Sequence, residues 1–361
     1  MKEIAVVGAG ICGSLLAYHL VRMGFNVSVF ERSQHQDSCS YAAAGMLSPM
    51  AELESSEPEI FELGMRSLSL WPEILSRLSH DLNQSFYYSD RGTLVVHHHQ
   101  DQREFEQYHR ILNRKLINES NKGFTEVEPK SLEPALGHFH TGLFLENEAQ
   151  LDAEEVLLGL KKWLRFRTQW KNQTVERVAP HQVDQERFDW VFDCRGLAAK
   201  NPENKLFGVR GERLLIHAPE VKLSRMVRLM HPRYRIYIAP RPDHKYVIGA
   251  TEIESDDDGP MSVRSTLELL TAAYSVHSGF AEGRVLEMKT HVRPTRLNHM
   301  PWIKHAQGLT ELNGLYRHGF LISPAIIDLA LEELYVYISS RESELSPTTH
   351  KPREEVYEHS F

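Results

Sequence analysis

Three glycines and one acid give the first chemical signal in the chain. Gly8, Gly10 and Gly13 stand in a Gly-x-Gly-x-x-Gly spacing, and Glu31 follows eighteen residues after Gly13. Where such a run turns from a strand into a helix, the missing side chains let a pyrophosphate approach the unpaired N–H groups of the helix N-terminus. A carboxylate at about that distance accepts the 2′ and 3′ hydroxyl protons of an adenosine ribose and repels a 2′-phosphate.

The flanking sequence supplies the elements that this chemistry needs. Ile4 to Val7 is a short apolar run that reads as a strand buried on both faces. Ile11 to Met23 reads as a helix that Gly24 stops, and Phe25 to Phe30 as a second strand ending at Glu31. Strand, helix, strand and acid in register predict dinucleotide binding, with Arg32 and Val175 as further expected contacts. The glycine pattern by itself leaves NAD and FAD both open.

Two further segments favour FAD. Residues 38–49, Ser-Cys-Ser-Tyr-Ala-Ala-Ala-Gly-Met-Leu-Ser-Pro, are small and uncharged, suited to a backbone lying against a flat ring. Residues 314–325, Gly-Leu-Tyr-Arg-His-Gly-Phe-Leu-Ile-Ser-Pro-Ala, form a second such motif near the other end. Both resemble the flavin-facing segments of glycine oxidase and the wider D-amino-acid oxidase family. The resemblance implies an α/β fold in which a Rossmann-like, glutathione-reductase-like FAD domain (1–84, 148–205, 297–345) is interleaved with an antiparallel-sheet substrate domain (85–147, 206–296), leaving 346–361 as a tail. It also implies cofactor contacts from Ser40, Ala43, Ala44, Gly45, Met46, Gly196, His318, Gly319, Leu321 and Ile322. The covalent flavin link of the sarcosine-oxidase branch uses a C-terminal cysteine, and no cysteine follows Cys194, so FAD is expected to be non-covalent.

The same resemblance points to the chemistry. In an amine oxidation hydride leaves carbon for the flavin, so the protein mainly has to hold the substrate in line. A planar guanidinium grips an amino-acid carboxylate through two parallel hydrogen bonds. Arg293 matches the family's arginine for that task, Tyr237 a pocket tyrosine and Arg317 a second arginine near the flavin. Arg235 replaces a family histidine, Lys304 a glycine, and Asp193-Cys194-Arg195-Gly196 resembles the equivalent strand of flavin halogenases. Together with Arg233 and Arg296 these residues suggest a strongly basic pocket. The first expectation is therefore oxidation of a small amine or amino acid with molecular oxygen as acceptor. The second is a flavoprotein that hydroxylates a tryptophan of a partner protein during quinone cofactor biogenesis, and the third a catalytically silent binding partner.

Composition narrows the setting. The 361 residues match ordinary globular usage, and 41 basic against 49 acidic residues give a charge of −8, the wrong sign for a nucleic-acid partner. Three cysteines without a regular spacing suit a reducing compartment, so a cytoplasmic location is expected. Ile4 to Val21 lacks charge, but three glycines interrupt it, which argues against a membrane span. Along the rest of the chain, the pattern predicts a helix from Ile60 to Leu78 kinked at Pro72, and a hairpin from Tyr87 to Val96 turning at Arg91-Gly92. His97-His98-His99 reads as a solvated edge rather than a metal site. A helix spans Glu154 to Phe166, and a strand from Phe188 to Gly196 lies beside the first strand. Strands at 213–217, 226–230, 234–239 and 245–251 make an antiparallel sheet, with Arg233, Arg235 and Tyr237 on the face away from Tyr234, Ile236 and Ile238. Glu254 to Asp258 reads as a solvated acidic turn, and Arg341 to Phe361 is left unassigned.

Overall fold

A computed structural model describes residues 2–32, 38–116, 123–344 and 357–360. The apolar run at the N-terminus becomes the strand Glu3–Val7, which pairs in parallel with Asn26–Glu31 on one side and Trp190–Asp193 on the other. Gln169–Asn172 extends this sheet beyond Asn26–Glu31, and Leu309–Asn313, Trp302–Ala306 and Tyr357–Ser360 extend it on the far side. Alternate side chains explain why the run is apolar throughout: Ile4 and Val6 pack with the helices Ile11–Arg22, Pro58–Leu82, Ala153–Arg165 and Gly319–Glu344. Ala5 and Val7 pack with Phe30, Val183 and Val191 on the opposite face. The strand ends that converge here carry Gly8, Glu31 and Asp193, where an open parallel sheet binds its ligands.

A nine-stranded sheet forms the second layer of the molecule. Phe207–His217, Met226–Met230, Ile236–Arg241, Lys245–Gly249 and Arg284–Thr295 pair antiparallel, as the alternating pattern predicts, and on its other side Met226–Met230 runs parallel to Thr93–His97. The expected hairpin does not form. Tyr88–Ser89 pairs with Ala149–Leu151 in a separate small sheet, while Thr93–His97 pairs with Gly142–Leu145. Gly92, at φ +74, bends the chain out of one sheet into another instead of back on itself. Of the three histidines only His97 belongs to this central strand; His97 stacks on Phe105 and His98 packs on Phe139, with both histidines half-buried, while His99 is exposed. No metal-ligating cluster occurs among the described residues.

The helix Pro58–Leu82 starts at a proline and contains Pro72. The acidic turn is exposed, as expected, and Asp257 also pairs with the buried Arg210, which grips Glu212. The C-terminal segment is not tail alone: Tyr357–Ser360 adds an edge strand beside Trp302–Ala306, and residues 345–356 lie outside the described residues.

One buried acid holds the loop between the two layers. Glu148 accepts the Ala51 N–H at 2.6 Å and so fixes the turn Pro49–Glu52. Burial pushes the Glu148 carboxyl up to about 7, against the pull of Thr93 and the Ala51 N–H. Its pKa in the folded chain then exceeds that of the unfolded chain, so the folded state keeps the proton longer and stability falls as pH rises from about 4.5 to about 7. Glu148→Gln should remove that slope and raise stability above pH 7 by about 2–3 kcal/mol. Urea denaturation of both proteins between pH 5 and 8.5 checks this; parallel stability curves would refute it.

Candidate active site

The glycine turn is built from contacts that only a missing side chain permits. A Cβ on Gly8, which sits at φ +96, would lie 2.6 Å from the Cys194 carbonyl oxygen, and one on Gly13 would overlap the Gly8 carbonyl oxygen. Ser40 Oγ accepts the Ile11 N–H at 3.0 Å, at the start of the first helix. Glu31 Oε2 accepts the Ala9 N–H at 2.8 Å and lies 3.8 Å from Lys161 Nζ, so the acid also ties its strand end to the turn. A cleft of about 170 Å³ runs along this turn, lined by Gly8, Gly10, Glu31, Arg32, Val175 and Gly196 among others. The charges of Asp193 and Arg195 cancel locally, because the guanidinium grips the carboxylate at 2.9 and 2.7 Å.

A chamber of about 360 Å³ opens off the same cleft, and the two share Ile11, Cys39, Ser40, His291, Tyr316 and Gly319. The small residues Ala43, Ala44, Gly45 and Met46 line it, as do His318, Gly319 and Leu321. Ile322 does not. It is fully buried among the helices beneath the first sheet, because successive helical residues point about 100° apart and only one face of Gly319–Glu344 meets the chamber.

The arginines expected in the chamber separate into two kinds. Arg293 lies across Gly211, where any Cβ would overlap its guanidinium, and donates to the Thr251 carbonyl at 3.3 Å. Among the described residues no carboxylate pairs with it. Tyr237 lies over Gly249 in the same way, at 2.5 Å from the position of a Cβ, and burial raises its hydroxyl pKa, so it stays a hydrogen-bond donor. Arg317 is instead committed to Glu52 at 2.7 Å, Glu252 at 2.8 Å and Ser55 at 2.6 Å. Arg235 is committed to Glu54 and to Glu104 at 3.0 Å. Arg233 points to solvent beside Glu268, Arg296 lies over the Trp302 ring, and Lys304 sits opposite Glu311 on neighbouring strands. The strongly basic pocket suggested by composition is thus mostly a set of neutralised pairs. Burial opposes the charge on Glu52, yet the nearby positive charges, Arg317 foremost and Arg228 after it, together with the Arg317 hydrogen bond, outweigh it and hold the carboxyl at about 2. His318, 3.7 Å from Glu52, is lowered by burial to about 4 and is neutral at pH 7.

A family model described as FAD dependent oxidoreductase matches residues 3–332. The chain belongs to that family. A Rhizobium etli protein named as a thiamine biosynthesis oxidoreductase, ThiO, is 39% identical over 329 residues, covering 90% of this chain and 94% of that one. Glycine oxidase of Geobacillus kaustophilus is 21% identical, covering 89% and 90%. Its crystal structure superposes with a TM-score of 0.82 over 92% of this chain and 95% of that one. Iminodiacetate oxidase from Chelativorans sp. BNC1 superposes with a TM-score of 0.77 at 22% identity, over 91% and 94%.

The family's FAD fits the residues present: a glycine turn too tight for a Cβ, a strand-end acid, and a continuous cleft and chamber floored by small side chains. Several lining residues escaped the sequence reading, among them Glu52, Glu252, Arg213 and Thr251. Glu52 follows the small-residue loop by only a few positions, and its place next to that loop is the one signal that could have marked it. Gly211 also went unnoticed. Gly211→Ala should push Arg293 out of its trough and raise KM for an anionic substrate roughly tenfold or more, with FAD content unchanged, since the clash is with a guanidinium rather than the cofactor cleft. Steady-state kinetics with flavin quantification would test it.

Proposed function

We propose that this flavoprotein oxidises the C–N bond of a small amino acid or amine, with oxygen as the final electron acceptor. The observation that carries the reading is Arg293, the chamber arginine that has no carboxylate partner among the described residues. Arg293 is half-buried, and a guanidinium drawn partly out of water gains most when an anion completes it. Glycine oxidases among the relatives support the class of substrate. Bound FAD would supply the hydride acceptor.

The chain's own residues then have limited tasks. Arg293 holds the substrate carboxylate through its planar fork, and Tyr237, from the same sheet, donates a further hydrogen bond. The Glu52–Arg317–Glu252 cluster forms a rigid polar side of the chamber, and Ala43, Ala44 and Met46 leave room for a flat ring while keeping water out. The features behind a tryptophan-hydroxylating role are internally neutralised: Asp193 holds Arg195, and glutamates hold Arg235 and Arg317. A cytoplasmic setting fits the free thiols of Cys12, Cys39 and Cys194.

The deciding experiment is to add glycine, sarcosine, and D- and L-amino acids anaerobically while following the flavin absorbance. Bleaching by at least one of them, with peroxide formed on admitting air, is expected. A flavin that none of the panel reduces would overturn the proposal. Acid precipitation should leave the yellow colour in the supernatant, as non-covalent FAD requires.

A further inference from the structure

Two arginines of the nine-stranded sheet reach across to the small-residue loop. Arg213 donates from Nε to the Ala42 carbonyl at 2.8 Å. Arg241 donates from Nη2 to the Ala44 carbonyl and, at 2.8 Å, to the Leu151 carbonyl. Both side chains are buried. Between them the Gly45 carbonyl accepts the Leu151 N–H at 2.9 Å. The loop is therefore fixed carbonyl by carbonyl, and two of its ties come from the sheet that bears Arg293 and Tyr237.

The two arginines differ in what else they face. Arg241 does not line the chamber, whereas Arg213 does. Arg213 stands in one cross-strand row with Gly249 and Tyr237, the tyrosine lying over the glycine between them. Its ion-pair partner Glu287 is 3.4 Å away, one-third exposed, and shared with Lys289 at 3.0 Å. Lys289 in turn pairs with Glu154 at 2.6 Å, and Glu154, which also feels the Arg213 charge, accepts from the Tyr41 hydroxyl. Neither glutamate lines the chamber, so the buried guanidinium is the member of this group that faces it.

We propose that Arg213 is a positioning residue for the flavin: it fixes the cofactor-facing loop through Ala42 and places a positive charge that favours the reduced, more negatively charged cofactor. A fixed charge close to a redox group shifts the balance between its two states, and low local dielectric enlarges the effect. The role follows from the FAD family and the geometry, and holds whatever the substrate.

The test compares purified holoprotein of wild type, Arg213→Gln and Arg213→Lys, with far-UV circular dichroism and thermal denaturation confirming that each is folded. Glutamine keeps a donor and deletes the charge, while lysine keeps the charge and loses the planar geometry. The flavin midpoint potential should move to more negative values in Arg213→Gln and stay near wild type in Arg213→Lys. FAD dissociation constants of both should rise roughly tenfold, because glutamine makes only a neutral bond to Ala42 and lysine has no donor at the Nε position. A wild-type potential in Arg213→Gln, or an equal shift in both variants, overturns the electrostatic role. Unchanged dissociation constants overturn the loop contact.

Discussion

Arg293→Ala should lower kcat/KM for an amino-acid substrate by about 2–5 kcal/mol, roughly 30-fold to several-thousand-fold, while leaving FAD bound. The size follows from the surroundings. Arg293 lies over Gly211, donates to the Thr251 carbonyl, and among the described residues has no glutamate to release when the substrate arrives. A carboxylate bound there without it would be left in a partly dry chamber with Tyr237 as its remaining donor. Arg293→Lys should recover little, because a point charge cannot reproduce two parallel bonds. Anaerobic stopped-flow reduction of the flavin by the best substrate reads the loss directly; a wild-type rate in Arg293→Ala would show that the substrate carboxylate binds elsewhere. Arg317→Ala makes an informative comparison, because its removal exposes Glu52 and Glu252 rather than an empty anion site.

Gly13→Ala should cost FAD retention and destabilise the fold by about 1–3 kcal/mol. The added methyl overlaps the Gly8 carbonyl oxygen and comes within 3.2 Å of Cys194 Cβ. Backbone cannot rotate away, so the helix Ile11–Arg22 has to lift from the strand ends that it covers. Gly10→Ala meets only the Ser40 hydroxyl, at 3.1 Å, a group that can swing aside, and its effect on stability should be much smaller. Flavin content after gel filtration and the thermal midpoint of each variant separate the two; equal midpoints would contradict the packing argument.

The N-terminal unit shows what the sequence by itself determined. Gly8, Gly10, Gly13, Ile4–Val7 and Glu31 act within about thirty residues of chain, and local backbone rules turn their order directly into strand, turn, helix and strand. The pattern likewise marked the alternation along Ile236–Arg241, with Ile236 and Ile238 in the core and Tyr237 toward the chamber. Tertiary structure alone decided which charged residues stay available. Arg235, Arg293 and Arg317 are the same residue type, and nothing within their own segments distinguishes them. The distinction comes from Glu52, 265 residues from Arg317, and from Glu54, 181 residues from Arg235. Strand partners were hidden for the same reason: Thr93–His97 and Tyr88–Ser89 read as a hairpin, but their apolar faces are better buried against Gly142–Leu145 and Ala149–Leu151. Periodicity says which way a side chain points within its own element, while pairing depends on what the rest of the chain brings opposite it.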